Sequence, residues 1–138
     1  MSDLKVNVDN NFIKEIIAIS QEAGDAIMTI YKTDFDVQIK DDFSPVTEAD
    51  KKANAIIEKR LKVLDDRIPI LSEEGQDIVY ADRKKWDTFW LVDPLDGTKD
   101  FIKKNNEFTV NIALINNKMP IFGVVYAPAI KLLFWGSL

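Results

Sequence analysis

Three apolar runs close the chain, "FTVNIALI" (108–115), "IFGVVYAP" (121–128) and "AIKLLFWGSL" (129–138), and they constrain its fold more than any other feature. They are rich in Val, Ile and aromatic residues, the side chains that suit a pleated, half-buried surface. Only "NNKMP" joins the first run to the second, and "AP" separates the second from the third. Links this short predict an antiparallel meander. The last run stops within apolar sequence, at "LLFWGSL". A strand bearing Leu132, Leu133, Phe134 and Trp135 needs cover, from a partner, from self-association through the unfinished sheet, or from the rest of a longer fold.

The front of the chain carries a different period. Phe12, Ile13, Ile16, Ile17, Ala23, Ile27, Ile30 and Tyr31 recur at helical spacing and predict a long amphipathic helix from Asn10 to Tyr31, with Gly24 marking a close packing point. "DFDVQIK" alternates like a short strand, and "DDFSPVT" reads as a loop. Thr47 is a good N-cap for a second helix whose apolar stripe is Ala49, Ala53, Ile56, Ile57, Leu61 and Leu64, with Glu48 and Asp50 in its first turn. "RIPIL" and "KKWDTFWLV" then read as strands that deliver "SEEG" and "DPLDGT" at their ends, and "TKDFIKK" as a short helix.

Composition removes several chemistries. The 138 residues contain no Cys and no His, so thiolate or imidazole catalysis and Cys- or His-ligated zinc are excluded from this chain. A net charge of −5 argues against a nucleic-acid polymer as partner. The polar, acidic N-terminus lacks the pattern of a signal peptide. No apolar stretch approaches the ~20 residues of a transmembrane segment, and a cytoplasmic protein is the expectation.

What remains for chemistry is oxygen. If the strands before "SEEG" and "DPLDGT" are neighbours, Glu73, Glu74, Asp93 and Asp96 meet at one edge of the sheet. Crowded like charges are costly unless a cation sits among them. Hard oxygen donors favour Mg²⁺ or Mn²⁺. Pro94 stiffens the segment between the aspartates, so that Asp93, the Leu95 carbonyl and Asp96 form a rigid set, and Gly97 permits the turn that follows. The first amides of the next short helix suit a phosphate. Two lookalikes fail on spacing: a D-x-D-G-T nucleophile motif would need Asp where Pro94 stands, and a calcium-binding loop starting at Asp93 would need acids at Leu95 and Gly97. Taken singly, Glu73 and Glu74 are an ordinary solvated pair, Asp50 an ordinary first-turn acid, and Thr98 equally a helix N-cap. Lys99, Lys103 and Lys104 read as a solvated helix face, and Trp86, Trp90 and Trp135 as packing residues.

"SEEG", "WLVDPLDGT" and the meander together resemble the inositol monophosphatase superfamily of magnesium-dependent phosphatases, marked by D-P-[IL]-D-G-[ST] preceded by a Glu-Glu pair. The longer match through "FIKKNNEFTVNIALI" and "GVVYAP", with "AGDAIM", "SPVTEAD" and "IPILSEE", is similar to its CysQ-type 3'(2'),5'-bisphosphate nucleotidases. The resemblance implies hydrolysis of the 3'-phosphate of adenosine 3',5'-bisphosphate with two or three Mg²⁺ ions. It implies metal ligation by Glu73, Asp93, the Leu95 carbonyl and Asp96. Water activation would fall to Glu73, Thr98 and Asp50, phosphate contacts to the Gly97 and Thr98 amides, and support to Glu74. Inositol or sugar phosphates are the alternative substrates, and a silent fragment that only binds metal or a partner is the alternative role. The implied fold class is α+β: the N-terminal half of a layered α/β sugar-phosphatase fold, two long helices on a mainly antiparallel sheet. Members of the family run about as long again and carry a W-D-x-x-A-G segment that these residues lack. Residues 1–138 are thus expected to be the N-terminal metal-binding portion, with the C-terminal half absent.

Overall fold

The computed structural model describes residues 5–39, 45–75 and 80–138. The elements in chain order are α1 (Asn10–Tyr31), β1 (Val37–Ile39), β2 (Pro45–Thr47), α2 (Glu48–Leu64), β3 (Ile70–Ser72), α3 (Tyr80–Arg83), β4 (Thr88–Asp96), α4 (Thr98–Ile102), β5 (Thr109–Asn116), β6 (Met119–Ala127) and β7 (Leu132–Ser137). β3 to β7 form one sheet in sequence order, with β3 parallel to β4 and every other pair antiparallel. β1 and β2 form a separate antiparallel pair. The expected class holds: two long helices lie on a mainly antiparallel sheet.

α1 and the β5–β6 hairpin follow from their local sequence. Asp9 starts α1 by accepting a hydrogen bond from the Phe12 N–H at 2.9 Å. The α1 stripe then buries Ile16, Ile19, Ala23 and Ile27. Gly24 lies where a Cβ would come within 2.5 Å of the Tyr126 ring, so the glycine lets α1 close on β6. The turn between β5 and β6 has positive φ at both Asn117 and Lys118, the two-residue geometry that matches strand twist. The core joins the α1 and α2 stripes to Trp90, Val92, Val110, Ile112, Leu114, Phe122 and Val124 on one face of the sheet. The opposite face carries Leu91 and Val125, which remain exposed, as does Phe134 beside Val125 on β7.

Three local expectations need correction. "DDFSPVT" is not wholly loop: Pro45–Thr47 pairs with Val37–Ile39, while residues 41–44 fall outside the described residues. The strand read from "KKWDTFWLV" begins only at Thr88, because Lys84–Asp87 follows the short α3 as turn and loop. At its other end β4 does not stop at Val92 but runs through "DPLD", since pairing with β5 resumes at Asp96–Thr109. Trp90 is buried, and Trp135, though 51% exposed, packs its ring against Phe122. Among the described residues no helix is long and apolar enough to cross a membrane.

Candidate active site

The parallel pairing of β3 and β4 places the Glu73–Glu74 turn beside Asp93. Ser72 stands opposite Val92, and the Glu73 N–H extends the ladder by donating to the Val92 carbonyl at 3.1 Å. Between Asp93 and Asp96 the β4–β5 register slips: Asp93 faces Asn111, but Asp96 faces Thr109, so one extra residue is held in β4. Pro94 has no N–H to give the ladder, which makes this the natural place for a bulge. The bulge tucks Pro94 and Leu95 inward and leaves Asp96 exposed.

The turn that follows requires glycine. Gly97 has φ of 93°, and a Cβ there would lie 2.8 Å from the Glu107 carbonyl oxygen. Gly97 rather than Thr98 is thereby the N-cap of α4, which leaves the Thr98 hydroxyl for another partner. It donates to Asp50 Oδ1 at 2.8 Å, with the Leu95 carbonyl oxygen 3.4 Å away. The other oxygen of Asp50 accepts from the Thr47 N–H at 2.8 Å and the Thr47 hydroxyl at 2.6 Å. Asp50 therefore caps α2 and ties its first turn to the "DGT" segment. One carboxylate has oxygens enough for the cap and for the Thr98 contact together.

Electrostatics marks Asp93. Burial, then the negative charges of Asp96 and Glu73, and more weakly that of Asp50, push its carboxyl up to about 6 against a hydrogen bond from the Leu95 N–H. The four acids thus share one electrostatic field. Even so, among the described residues no three acidic side chains are gathered tightly enough to cage one ion. Mutual repulsion spreads such groups, and a divalent cation is what draws them together. The oxygens on offer, from carboxylates and a backbone carbonyl beside a Pro-containing bulge, fit Mg²⁺ in their chemistry. Beside it lies a groove of about 310 Å³ lined by Glu73, Asp93, Asn111, Ala113, Gly123 and Val125, among others, and open along the uncovered face of the sheet.

The residues expected at the site therefore converge: Glu73, Asp93, Asp96, Asp50 and Thr98 lie around the junction of β3, β4, α2 and α4, and Glu74 lies in the same turn as Glu73. Two polar residues in contact with this framework are not apparent from motifs. Asn111 donates from Nδ2 to Asp96 Oδ2 at 3.2 Å while its Oδ1 accepts from the Thr109 hydroxyl at 2.9 Å, so it orients the exposed aspartate. Asn54 reaches the Glu74 carbonyl from α2. Its only trace in the sequence is a polar residue between Ala53 and Ile57 of the apolar stripe. Lys104 lies past the end of α4 and is exposed, yet its ammonium bonds the carbonyls of Tyr31 and Thr33 and lies over the Tyr31 and Phe35 rings, pinning the loop after α4 to the end of α1.

The family model of the inositol monophosphatases matches residues 9–138. The chain is 46% identical over 127 residues to the 3'(2'),5'-bisphosphate nucleotidase CysQ of Salmonella typhimurium, covering 91% of this chain and 51% of that one. It superposes on the crystal structure of CysQ from Bacteroides thetaiotaomicron with a TM-score of 0.79 and 43% identity, over 94% of this chain and 47% of that one. The suhB protein of Bartonella henselae gives a TM-score of 0.82 at 28% identity, over 93% and 49%. The chain spans about half the length of the curated relatives it matches.

Proposed function

Because the chain belongs to the inositol monophosphatase family, we propose that its acidic cluster serves a magnesium-dependent phosphomonoesterase acting on the 3'-phosphate of adenosine 3',5'-bisphosphate. The carrying observation is the Thr98–Asp50 hydrogen bond at 2.8 Å beside the charge-crowded Asp93. Similarity to CysQ nucleotidases supports the substrate class. Bound Mg²⁺, two or three ions, supplies positive charge that polarises the phosphoryl group and eases deprotonation of water.

The chain's own residues divide the remaining work. Glu73, Asp93, Asp96 and the Leu95 carbonyl hold the cations. The Thr98 hydroxyl, with its proton committed to Asp50, has its lone pairs free to accept from a water. That water is oriented by Thr98 and Glu73 for in-line attack on phosphorus, and the bond from phosphorus to the 3'-oxygen breaks on the opposite side. The water's proton passes by the Thr98 hydroxyl towards Asp50, and the released 3'-oxygen takes a proton from solvent. The Gly97 and Thr98 amides hold the phosphate, with Glu74 as support. The aspartates are occupied as ligands, so no covalent phosphoenzyme forms.

The test is phosphate release from adenosine 3',5'-bisphosphate with Mg²⁺, in wild type and Asp93→Asn. Loss of at least a hundredfold in the variant is expected, and equal rates would remove the assignment. The exposed apolar residues Leu91, Val125 and Phe134 favour a second reading, binding of a partner or a cation without turnover. Calorimetric Mg²⁺ binding in a wild type that releases no phosphate would select it. Competition by inositol phosphates in the same assay separates the alternative substrates.

A further inference from the structure

Asp50 and Asn54 lie one turn apart on α2, so they face the same way. Both are buried, Asn54 with 6% exposure. Asp50 binds Thr98 in one half of the site. Asn54 makes the corresponding contact with the other half. Its Nδ2 donates to Glu58 Oε2 at 2.8 Å and to the Glu74 carbonyl at 3.4 Å. The Ser72 hydroxyl donates to Asn54 Oδ1, and the Glu74 N–H donates to Ser72 Oγ at 3.4 Å. Three of these bonds close a ring from Asn54 through Ser72 and Glu74 back to Asn54, and Glu58 anchors it. A carboxylate can only accept, so Glu58 takes the amide NH₂ and leaves Oδ1 for Ser72.

Glu73 sits inside this ring. The backbone on both sides of it is held, and its own N–H is tied to Val92 at 3.1 Å. We propose that Asn54 is a positioning residue for the cation site: it fixes the Glu73-bearing turn, so that α2 sets the spacing of Glu73 and Thr98 through Asn54 and Asp50. The proposal rests on the reading above that Glu73 helps to hold a cation. A bond of this kind behind a ligand changes metal affinity by about tenfold or more when removed.

The experiment uses the whole chain with two readouts: amide hydrogen exchange over residues 72–75 without metal, and Mn²⁺ affinity by calorimetry. Asn54→Ala and Ser72→Ala are each expected to speed exchange in that turn and to weaken Mn²⁺ binding about tenfold. The double variant should be no worse than the poorer single one, because both break the same ring. Ile57→Val, a core truncation on the same helix, should lower the unfolding midpoint while leaving both readouts unchanged. Unchanged exchange in folded Asn54→Ala overturns the proposal, and so does faster exchange with unaltered Mn²⁺ affinity. Should Asn54→Ala fail to fold, Ser72→Ala decides on the same criteria. A wild type that takes no Mn²⁺ removes the cation reading, and the exchange data then judge the turn alone.

Discussion

Asp93 is the side chain whose ionisation the fold opposes. Its carboxyl, at 3.8 in an unconstrained chain, is pushed up to about 6 by burial and by the charges of Asp96 and Glu73. Between those two values the folded chain holds a proton that the unfolded chain has released. The stability tied to protonated Asp93 is complete below about pH 4 and lost as pH rises through about 6. In cation-free buffer the wild type should therefore lose about 1 kcal/mol relative to Asp93→Asn between pH 4 and 7, the shift being discounted because the carboxyl is half-exposed. Urea unfolding of both proteins across that range checks it, and saturating Mg²⁺ should restore the wild type at pH 7. The motif residues were readable because Pro94 and Gly97 set local backbone geometry that any reader of the chain can infer. Asn54 and Asn111 were not, since their partners Ser72 and Asp96 lie 18 and 15 residues away.

Among the elements, the periodic ones were readable and the interrupted ones were not. α1 spans the residues that its apolar spacing implies, and the meander appears as β5, β6 and β7. Local sequence ends β4 early because Asp, Pro and Gly are turn residues, yet pairing with β5 carries the strand across its bulge to Asp96. Pro45–Thr47 has the local composition of a loop and is strand through its pairing with β1. Gly24 is where an element meets another closely enough to test. A side chain there would enter the Tyr126 ring, so Gly24→Val should destabilise by about 1–3 kcal/mol. Thermal unfolding by circular dichroism measures that loss, and a change below a few tenths of a kcal/mol would contradict the close α1–β6 contact.

The molecule as a whole is one-sided: helices cover one face of the sheet, and Leu91, Val125 and Phe134 stand exposed on the other, with β7 at its edge. An uncovered apolar face ending in an edge strand invites pairing with another chain. Self-association that rises with concentration is the expected outcome, and Phe134→Lys should suppress it in sedimentation velocity without lowering the unfolding free energy by more than about 0.5 kcal/mol. A wild type that stays monomeric at high concentration would rule it out. By itself the sequence determined the class of chemistry, because a chain without His or Cys has only oxygen ligands to offer. It also determined α1, α2, α4, the meander and the Asp–Pro–Leu–Asp–Gly turn, all of which follow from local spacing and backbone freedom. Only the tertiary structure decided that Asp50 binds Thr98, that Asn54 braces the Glu73 turn, and that Asp93 is crowded by three other acids. Those relations join residues brought together by the parallel β3–β4 pair and the packing of α2, and no local rule of spacing encodes a distance across elements.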